Sequence, residues 1–292
     1  MFDEHQENEI NRQALFSDET QDYRYPEEPD AGETVTLWFR TAKNDVDRVF
    51  YIEEDKNIQA EMRKVSSDGL FDYYEYRMKA DSQPQRYYFQ VVKGSAVCYF
   101  NRLGATMDIQ SCYAFRITPG FHTPEWAKGA VMYQIFVDRF CNGDKSNDVV
   151  TNEYSYISAP VQKVEDWNRP PQAMDVRDFY GGDLQGVWDK LDYLQDLGVD
   201  VIYFNPIFVS PSNHKYDIQD YDYVDPHYGK IVKDGGEPLN WGDQDNSHAS
   251  KYIQRVTDYE NLEASNRFFA RFVEEVHKRG MKVILDGVFN HC

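Results

Sequence analysis

The sequence predicts a β-sandwich followed by an α/β domain, on three observations. From Gly32 onward, apolar and polar residues alternate in short segments separated by polar turns, which is the pattern of half-buried strands. After about residue 122 the strand-like segments become continuously apolar and alternate with amphipathic helices, which is typical of a parallel sheet. The length of 292 residues accommodates two domains. The predicted ranges are a polar lead-in over 1–30, a sandwich over 31–122 and an α/β domain over 123–292.

The composition excludes two classes of partner. The chain has 31 Lys and Arg against 50 Asp and Glu, which gives a formal net charge of −19. Nucleic acids and anionic membranes need a basic surface, so both are excluded as partners. Aromatic residues make up 15% of the chain, which is enough to build a core and leave rings that can stack on a ligand.

Neither a signal segment nor a membrane span is found in the sequence. The N-terminus, residues 1–7, lacks the basic and apolar regions of a secretory signal, and no apolar run is long enough for a membrane span. We therefore expect a cytoplasmic protein. The four cysteines lie far apart, and we expect buried thiols at Cys98, Cys112 and Cys141 and a terminal residue at Cys292.

The sandwich is predicted from short alternating segments. Val35, Leu37 and Phe39 share one face of a strand over 34–40, and residues 47–52 repeat the alternation. We expect the strand over 72–79 to pair with the strand over 86–92 across the polar turn 81–84, and we expect the Pro- and Gly-containing segment 119–124 to end the domain.

The second half is predicted to alternate strands with helices. Apolar residues recur every three or four positions in both helices, and each helix is followed by a glycine. Strand, helix and strand in this order indicate consecutive units of a parallel sheet. The predicted elements are a strand buried on both faces over 131–137, a helix over 184–197, a strand over 199–204, a helix over 264–278 and a strand over 282–288.

Polar residues are dense in the segment that follows the first of these strands. Residues 142–148 contain five oxygen-bearing side chains, a density that suits a hard cation such as calcium. The spacing approaches that of an EF-hand, but a strand-like segment precedes it, so we exclude the EF-hand and keep the cation. A turn rich in Asn, Asp and Gly is the alternative. Asp183 is placed to cap the helix that begins at Leu184, a role that requires no ligand.

Two further polar groups follow the second and third strands, where functional residues of a parallel α/β barrel lie. Tyr216 stands between His214, Lys215 and Asp217, which offers an aromatic face surrounded by hydrogen-bonding groups, as a sugar ring requires. A packing role for this tyrosine stays open. The segment 286–291 ends a strand with a carboxylate, an amide and an imidazole, which form either a site or a satisfied hydrogen-bonding cluster.

Five segments in order resemble glycoside hydrolase family 13, the α-amylase family, and within it the cyclomaltodextrinase, neopullulanase and maltogenic amylase branch. The resemblance is strong over 123–292, and the sandwich resembles the branch's N-terminal starch-binding module by position and pattern. The segments are Val-Met-Tyr-Gln-Ile-Phe-Val-Asp-Arg-Phe, Phe-Tyr-Gly-Gly-Asp-Leu-Gln-Gly, Leu-Gly-Val-Asp-Val-Ile-Tyr-Phe-Asn-Pro-Ile-Phe, Ser-Asn-His-Lys-Tyr-Asp and Asp-Gly-Val-Phe-Asn-His.

The resemblance implies a fold, an activity and a set of site residues. The fold is a starch-binding-module-like sandwich followed by about three βα units of a TIM barrel. The activity is retaining hydrolysis of α-1,4 or α-1,6 glucosidic bonds in maltooligosaccharides or related α-glucans, with Asp286 organising the site without acting as nucleophile. The implied sugar-binding residues are His214, Tyr216, Asn290 and His291, and the implied structural calcium ligands are Asn142, Asp144, Asn147, Asp148, the Gly181 carbonyl and Asp183.

The family's catalytic residues have no counterpart in this sequence. The family places its nucleophile, acid/base and stabilising carboxylate after the fourth, fifth and seventh barrel strands, and retention requires two carboxyl groups about 5–5.5 Å apart. The sequence ends with the third predicted strand. We therefore expect the N-terminal part of a longer enzyme, inactive alone. The alternatives are a non-catalytic carbohydrate-binding protein and an inactive amylase-like partner subunit.

Two features of the sequence leave their role open. The insertion over 229–261 is long enough to shape a substrate rim or a dimer contact, and it can equally be a surface embellishment. The branch to which the resemblance points implies a homodimer formed through the N-terminal module.

Overall fold

A computed structural model of the chain describes residues 9–291, so the predictions for residues 1–7 and for Cys292 lie outside the described range. The chain divides into two compact units after Lys128, slightly beyond the boundary predicted after residue 122. The two units are described separately. Within the described residues, no helix is both long and apolar enough to cross a membrane.

The first unit is a sandwich of two antiparallel sheets, as the sequence predicts. One sheet has the strand order β1-β2-β6-β5, and the other has the order β4-β3-β7-β8-β9 with β10 paired to β7. Short 3-10 turns lie at Arg12–Ala14, Glu54–Lys56, Ser111–Tyr113 and Glu125–Ala127. The strands are β1 (Arg24–Tyr25), β2 (Thr34–Ala42), β3 (Arg48–Glu53), β4 (Ile58–Glu61), β5 (Arg63–Ser67), β6 (Phe71–Lys79), β7 (Gln85–Lys93), β8 (Ala96–Asn101), β9 (Gly104–Thr106) and β10 (Phe115–Ile117).

The core of the sandwich lies between the sheets and is rich in aromatic residues. Buried and outward-facing residues alternate along β2, with Val35, Leu37 and Phe39 all buried. The ring of Phe39 packs against Phe89 with 4.8 Å between centroids. This alternation is what the sequence pattern predicted, because one face of each sheet contacts the other sheet.

The structure corrects the predicted lead-in. Ile10 and Leu15 are buried in the sandwich core, and β1 pairs with β2, with Arg24 opposite Leu37. The described part of residues 1–30 therefore belongs to the sandwich. Its apolar residues are isolated in an acidic background, so no periodic pattern marked them as structural.

The predicted pairing of 72–79 with 86–92 is wrong. Strand β6 pairs with β2 and β5, whereas β7 pairs with β3, β8 and β10. The turn between them therefore crosses from one sheet to the other. Alternation predicts which face of a strand is buried, but it does not identify the neighbouring strand. Cys98 is buried as predicted, whereas Cys112 is exposed and Cys141 only partly buried.

The second unit is built around a parallel three-stranded sheet. Strands β11, β16 and β19 lie side by side in that order, and all pair in parallel. The strands are β11 (Met132–Ile135), β12 (Ser155–Tyr156), β13 (Ala159–Pro160), β14 (Gln162–Lys163), β15 (Asp178–Phe179), β16 (Val201–Phe204), β17 (Phe208–Val209), β18 (Asp220–Val224) and β19 (Lys282–Leu285). The helices are α1 (Leu184–Asp189), α2 (Leu191–Asp196), α3 (Ser250–Thr257) and α4 (Tyr259–Lys278), and 3-10 turns lie at Val137–Arg139, Lys145–Asn147, Asp175–Arg177 and Asn246–His248.

Two of the predicted helices differ in their bounds. The predicted helix 184–197 is divided into α1 and α2 at Lys190. The apolar side chains of Leu184, Val187, Leu191 and Leu194 are buried, whereas Leu197 at the end of the predicted helix is 52% exposed. Helix α4 begins at Tyr259, earlier than the predicted residue 264, because the Asp258 side chain accepts a hydrogen bond from Glu260 N and caps it.

The first predicted strand is not buried on both faces. Met132 in β11 is 50% exposed and Leu285 in β19 is 40% exposed. Among the three described strands of this parallel sheet, only β16 has a strand on each side, so only β16 has the burial that its apolar sequence predicts.

Candidate functional site

Two neighbouring parallel strands bring Tyr216 and Asp286 together. Tyr216 lies in the loop after β16, and Asp286 follows β19 directly, where its N–H donates to the Phe204 carbonyl of β16 at 3.1 Å. The Tyr216 hydroxyl donates to Asp286 Oδ2 at 2.7 Å. Burial and the adjacent carboxylate raise the pKa of Tyr216 to about 12. The phenol is therefore a neutral donor that holds the carboxylate in place.

His214 is joined to the same group through the backbone. The Tyr216 N–H donates to His214 Nδ1 at 3.0 Å, and the two rings lie 5.9 Å apart between centroids. Burial lowers the pKa of His214. Because Nδ1 accepts a hydrogen bond, the neutral ring carries its proton on Nε2, which is left available as a donor.

The loop that carries these residues is held by hydrogen bonds from its own side chains. Asp217 Oδ1 accepts from the Ser210 hydroxyl at 2.5 Å and also from the Ser212 hydroxyl. Asn213 is buried, and its side-chain N–H donates to the carbonyls of Asp175 and Asp178 at 2.6 and 3.0 Å. The loop is therefore fixed independently of any ligand.

Asn290 and His291 do not join this group. Both side chains are exposed, and no hydrogen bond to either is found within residues 9–291. Phe289 beside them is 93% exposed. The structure thus assembles His214, Tyr216 and Asp286 from the predicted set and leaves the other two apart.

Asp183 lies at the centre of the predicted calcium set. It is fully buried and caps α1, accepting from Gly186 N at 2.6 Å. It also accepts from the backbone N–H groups of Gly143 and Asp144, at 3.0 and 2.8 Å, and from the Asn147 side chain at 3.1 Å. Burial raises the pKa of Asp183, and these donors oppose that rise. The helix cap considered from the sequence is therefore present.

The other two carboxylates of the set each contact a lysine. Asp148 Oδ2 lies 2.6 Å from Lys163 Nζ, while its Oδ1 accepts from the Asn142 side chain at 2.7 Å. Asp144 Oδ2 lies 2.8 Å from Lys230 Nζ. Neither lysine was predicted to lie near this set, because both come from segments outside the polar cluster 142–148.

The donor set fits a hard cation through its amide and carbonyl oxygens. Asn142 Oδ1 and Asn147 Oδ1 are buried and have no hydrogen-bond partner, although buried polar atoms are normally paired. Gly181 has φ +84°, and a Cβ there would collide with Asp148 Oδ1. No cluster of three or more His, Cys, Asp and Glu side chains suited to a metal is found in the described part of the chain. A cation here would therefore depend on the two amides as well as on the carboxylates.

Both units match models of one protein family. The second unit matches the alpha amylase catalytic domain over residues 134–234, and the first matches the alpha amylase N-terminal Ig-like domain over residues 11–118. The chain belongs to the α-amylase family, glycoside hydrolase family 13. Its branch is that of the neopullulanases, cyclomaltodextrinases and maltogenic amylases. The predicted fold class, an Ig-like sandwich followed by the start of an α/β catalytic domain, is confirmed.

Three relatives show what share of a family member's length this chain covers. It is 36% identical to neopullulanase 2 of Thermoactinomyces vulgaris, over 96% of this chain and 41% of that protein. It is 33% identical to the intracellular maltogenic amylase of Bacillus subtilis strain 168, over 89% of this chain and 39% of that protein. The solved type III pullulan hydrolase from Thermococcus kodakarensis superposes with a TM-score of 0.50 and 26% identity, over 95% of this chain and 42% of that chain. The chain therefore spans less than half the length of these relatives.

A largely buried ion pair, Asp138 with Arg139, lies next to the predicted calcium ligands Gly181 and Asp183. Asp138 follows β11 and is fully buried, accepting from the backbone N–H groups of Tyr180 and Gly181 at 3.1 Å each. Arg139 donates to Asp138 at 3.1 Å and lies over the Tyr180 ring. The pair fixes the segment that leads to Asp183. Its signal in the sequence was an Asp-Arg pair directly after an apolar strand.

Proposed function

We propose that this chain supplies part of the sugar-binding site of a retaining α-glucan hydrolase. The observation that carries the proposal is the 2.7 Å hydrogen bond between Tyr216 and Asp286, formed at the carboxyl ends of adjacent parallel strands. In a parallel α/β barrel this is the end at which substrates bind. An aromatic face beside a fixed carboxylate suits a ring that has apolar faces and hydroxyl edges.

Each residue of the group has a distinct role toward a sugar. The Tyr216 ring stacks on the apolar face, Asp286 accepts from a hydroxyl, and His214 donates from Nε2. These contacts bind and orient the ring. The Asp286 carboxylate is held by the Tyr216 phenol, so we assign it no nucleophilic role, and we expect the 292-residue chain alone to hydrolyse no glucosidic bond.

The names of the relatives support the proposed substrate class. Their names refer to pullulan, cyclomaltodextrin and maltose, all built from α-linked glucose, and the net charge of −19 favours a neutral ligand over an anionic one. We extend this class to the present protein as maltooligosaccharides joined by α-1,4 or α-1,6 bonds.

The test uses an enzyme that carries this chain together with a complete catalytic barrel. We expect Tyr216→Ala and His214→Ala each to lower kcat/KM on maltooligosaccharides by about tenfold to a thousandfold, which corresponds to ~1.4–4 kcal/mol of transition-state contact. Tyr193→Ala, at an exposed tyrosine of α2, is the matched control. Absence of hydrolysis in the complete enzyme would contradict the function and favour an inactive partner subunit. Unchanged kinetics in both variants would remove these residues from the subsite.

We also propose that the loop over 142–148 binds a structural calcium ion. Asn142, Asn147 and the Gly181 carbonyl would hold the ion together with Asp144, Asp148 and Asp183. The two unpaired amide oxygens support this proposal, since oxygen donors are those that calcium prefers. Burial raises the pKa of Asp148, and a nearby cation would favour its ionised form.

Thermal unfolding tests the calcium proposal. We expect EDTA to lower the melting temperature of the chain, calcium to restore it, and Asp144→Ala to abolish the difference. Asp196→Ala, at an exposed position of α2, should respond to EDTA as the unmodified chain does. A melting temperature that neither EDTA nor calcium changes would contradict the proposal.

A second candidate function is carbohydrate binding by the sandwich. Its outer surface has a pocket of about 340 Å³ in which Tyr23, Trp38 and Tyr73 lie with Asp22 and Ser66. Several aromatic rings beside polar groups favour a sugar ligand over a purely apolar one. In affinity electrophoresis on soluble starch, Trp38→Ala should abolish retardation if the sandwich binds glucan, whereas Tyr216→Ala should abolish it if the α/β unit does. Dimerisation and a cytoplasmic location stay predictions.

A further inference from the structure

A buried network of alternating charges lies in the second unit and includes Lys215 of the loop 210–217. Lys215 Nζ lies 2.6 Å from Asp225 Oδ2, and Asp225 Oδ1 lies 2.9 Å from His227 Nδ1. His227 Nε2 lies 2.8 Å from Glu153 Oε1, and Glu153 Oε2 lies 2.9 Å from Arg255 Nη1. All five side chains are less than 5% exposed.

The chain of charges continues into the insertion 229–261. Arg255 of α3 donates from Nε and Nη2 to both oxygens of Asp234, at 2.9 Å each. Lys251 Nζ lies 2.7 Å from the same carboxylate. The insertion thus supplies three charged residues to the network, so it is more than a surface embellishment.

His227 has the geometry of an imidazolium. Each of its ring nitrogens faces a carboxylate oxygen, and a carboxylate only accepts, so both nitrogens must donate. The ring also lies nearly parallel to Tyr252, at 16° between planes. Burial disfavours the charge, but Glu153 and Asp225 outweigh it and raise the pKa of His227.

The other end of the network determines the backbone beside Tyr216. Lys215 is not a glycine, yet it has φ +59°, a conformation that side chains rarely adopt without support. Its ammonium donates to the Ser210 carbonyl at 2.8 Å and to Asp225, and it lies 4.8 Å from the centre of the Tyr228 ring. The left-handed turn at Lys215 places His214 and Tyr216 side by side.

We propose that His227 is a positioning residue for Tyr216, acting through Asp225 and the ammonium of Lys215, with the insertion 229–261 bracing its far side through Glu153. No side chain of the network forms a hydrogen bond with the Tyr216 or Asp286 side chain in the described residues. The network fixes the loop from which Tyr216 reaches Asp286. The role of Tyr216 in sugar binding rests on the proposed function, whereas the positioning of Tyr216 by the network does not.

The test measures the loop in the 292-residue chain without sugar. In His227→Gln and Lys215→Met we expect amide hydrogen exchange over 210–217 to accelerate by about tenfold or more, because local opening becomes easier. With ¹³C-labelled tyrosine, the pKa of Tyr216 should fall from about 12 toward the ordinary value of about 10. His248→Gln is the matched control, since His248 lies in the insertion and pairs with Asp243 but is exposed.

The outcomes separate positioning from general stability. Lys215→Gly removes the strain but also the ammonium, so it should mobilise the loop as Lys215→Met does. If His227→Gln does not fold, the two Lys215 variants alone test whether the charge network positions the loop 210–217. An unchanged loop and an unchanged Tyr216 titration overturn the proposal, and so does an acceleration spread evenly over the second unit. If the unmodified chain binds no sugar, this result contradicts the proposed function but not the positioning of Tyr216 by the network.

Discussion

The two units differ in how deeply their ion pairs are buried. In the sandwich, a buried carboxylate pairs with a partly exposed lysine, as where Asp72, 1% exposed, meets Lys64, 43% exposed. In the α/β unit, both partners of several pairs are buried, as where Glu153, 0% exposed, meets Arg255, 3% exposed. Within residues 9–291, ion pairs with both side chains below 5% exposure occur in the second unit alone.

The placement of the charged side chains indicates how each unit gains its stability. The sandwich core is aliphatic and aromatic, which stabilises through burial of apolar area. A fully buried ion pair contributes little net stability, because desolvation offsets the attraction between the charges. The buried charges of the second unit are therefore better explained by the geometry that they impose than by the free energy of unfolding.

The largest expected effect comes from removing one member of the buried network. Glu153→Ala removes the buried carboxylate between His227 and Arg255, so positive charge in the interior loses part of its compensation, and we expect a loss of about 3–5 kcal/mol from the free energy of unfolding of the second unit. In the sandwich, Arg86→Ala removes an exposed pair with Asp55 and should leave the free energy of unfolding almost unchanged, because solvent screens the pair. Chemical denaturation combined with hydrogen exchange assigns each loss to its unit, and equal losses in the two units would contradict this difference between them.

Truncation of an apolar side chain should have the opposite pattern. We expect the larger loss of unfolding free energy in the sandwich. Phe39→Ala empties a fully buried position of the sandwich and should cost about 3–5 kcal/mol. Leu285→Ala removes a side chain that is 40% exposed on β19 and should cost roughly 1–2 kcal/mol, since less area returns to water. The same denaturation experiment measures both, and a larger loss at Leu285 would show that the edge strand is buried in solution.

The smallest effect is a dependence of stability on pH. His227 has a raised pKa between Glu153 and Asp225, so its contribution is fully present below its ordinary pKa of about 6.5 and is lost as pH rises toward the folded value. The pKa of Glu153 is lowered, because His227 and Arg255 outweigh burial, so its contribution is lost as pH falls below about 4.3.

Thermal unfolding between about pH 6 and 8.5 measures this dependence. We expect the second unit to lose stability over this range and His227→Gln to remove most of the slope, with a remainder from the exposed His248, whose pKa is also raised, by Asp243. The sandwich has an exposed His122 and no buried histidine within residues 9–128, so its transition should stay constant. Parallel shifts of the two transitions would contradict the assignment to His227.

The sequence predicted the faces of strands better than their neighbours. Alternation along β2 identified Val35, Leu37 and Phe39 as core residues, because one sheet face must be buried. It did not identify the partner of β6, since pairing depends on residues far apart in sequence. Continuous apolar runs predicted the parallel strands, but the burial of Met132 depends on what lies beside β11 and not on its own segment.

The candidate site was predictable only where its residues are close in sequence. The segment from His214 to Tyr216 was found from its local chemistry, whereas the contact of Tyr216 with Asp286 joins residues from two strands. The buried network was missed entirely. Glu153, His227 and Arg255 are ordinary polar residues in their own segments, and only the fold brings them together.

The left-handed backbone at Lys215 has a consequence for how this protein can be altered. Because Lys215 and the charges behind it hold the loop, its shape should not require the Tyr216 side chain, whereas His214 also accepts from the Tyr216 N–H. Position 216 should therefore tolerate exchange, and on the proposed function libraries that vary it can change ligand preference while the fold is retained. Position 215 should accept few replacements, since a new residue must adopt φ +59° and also carry a cation.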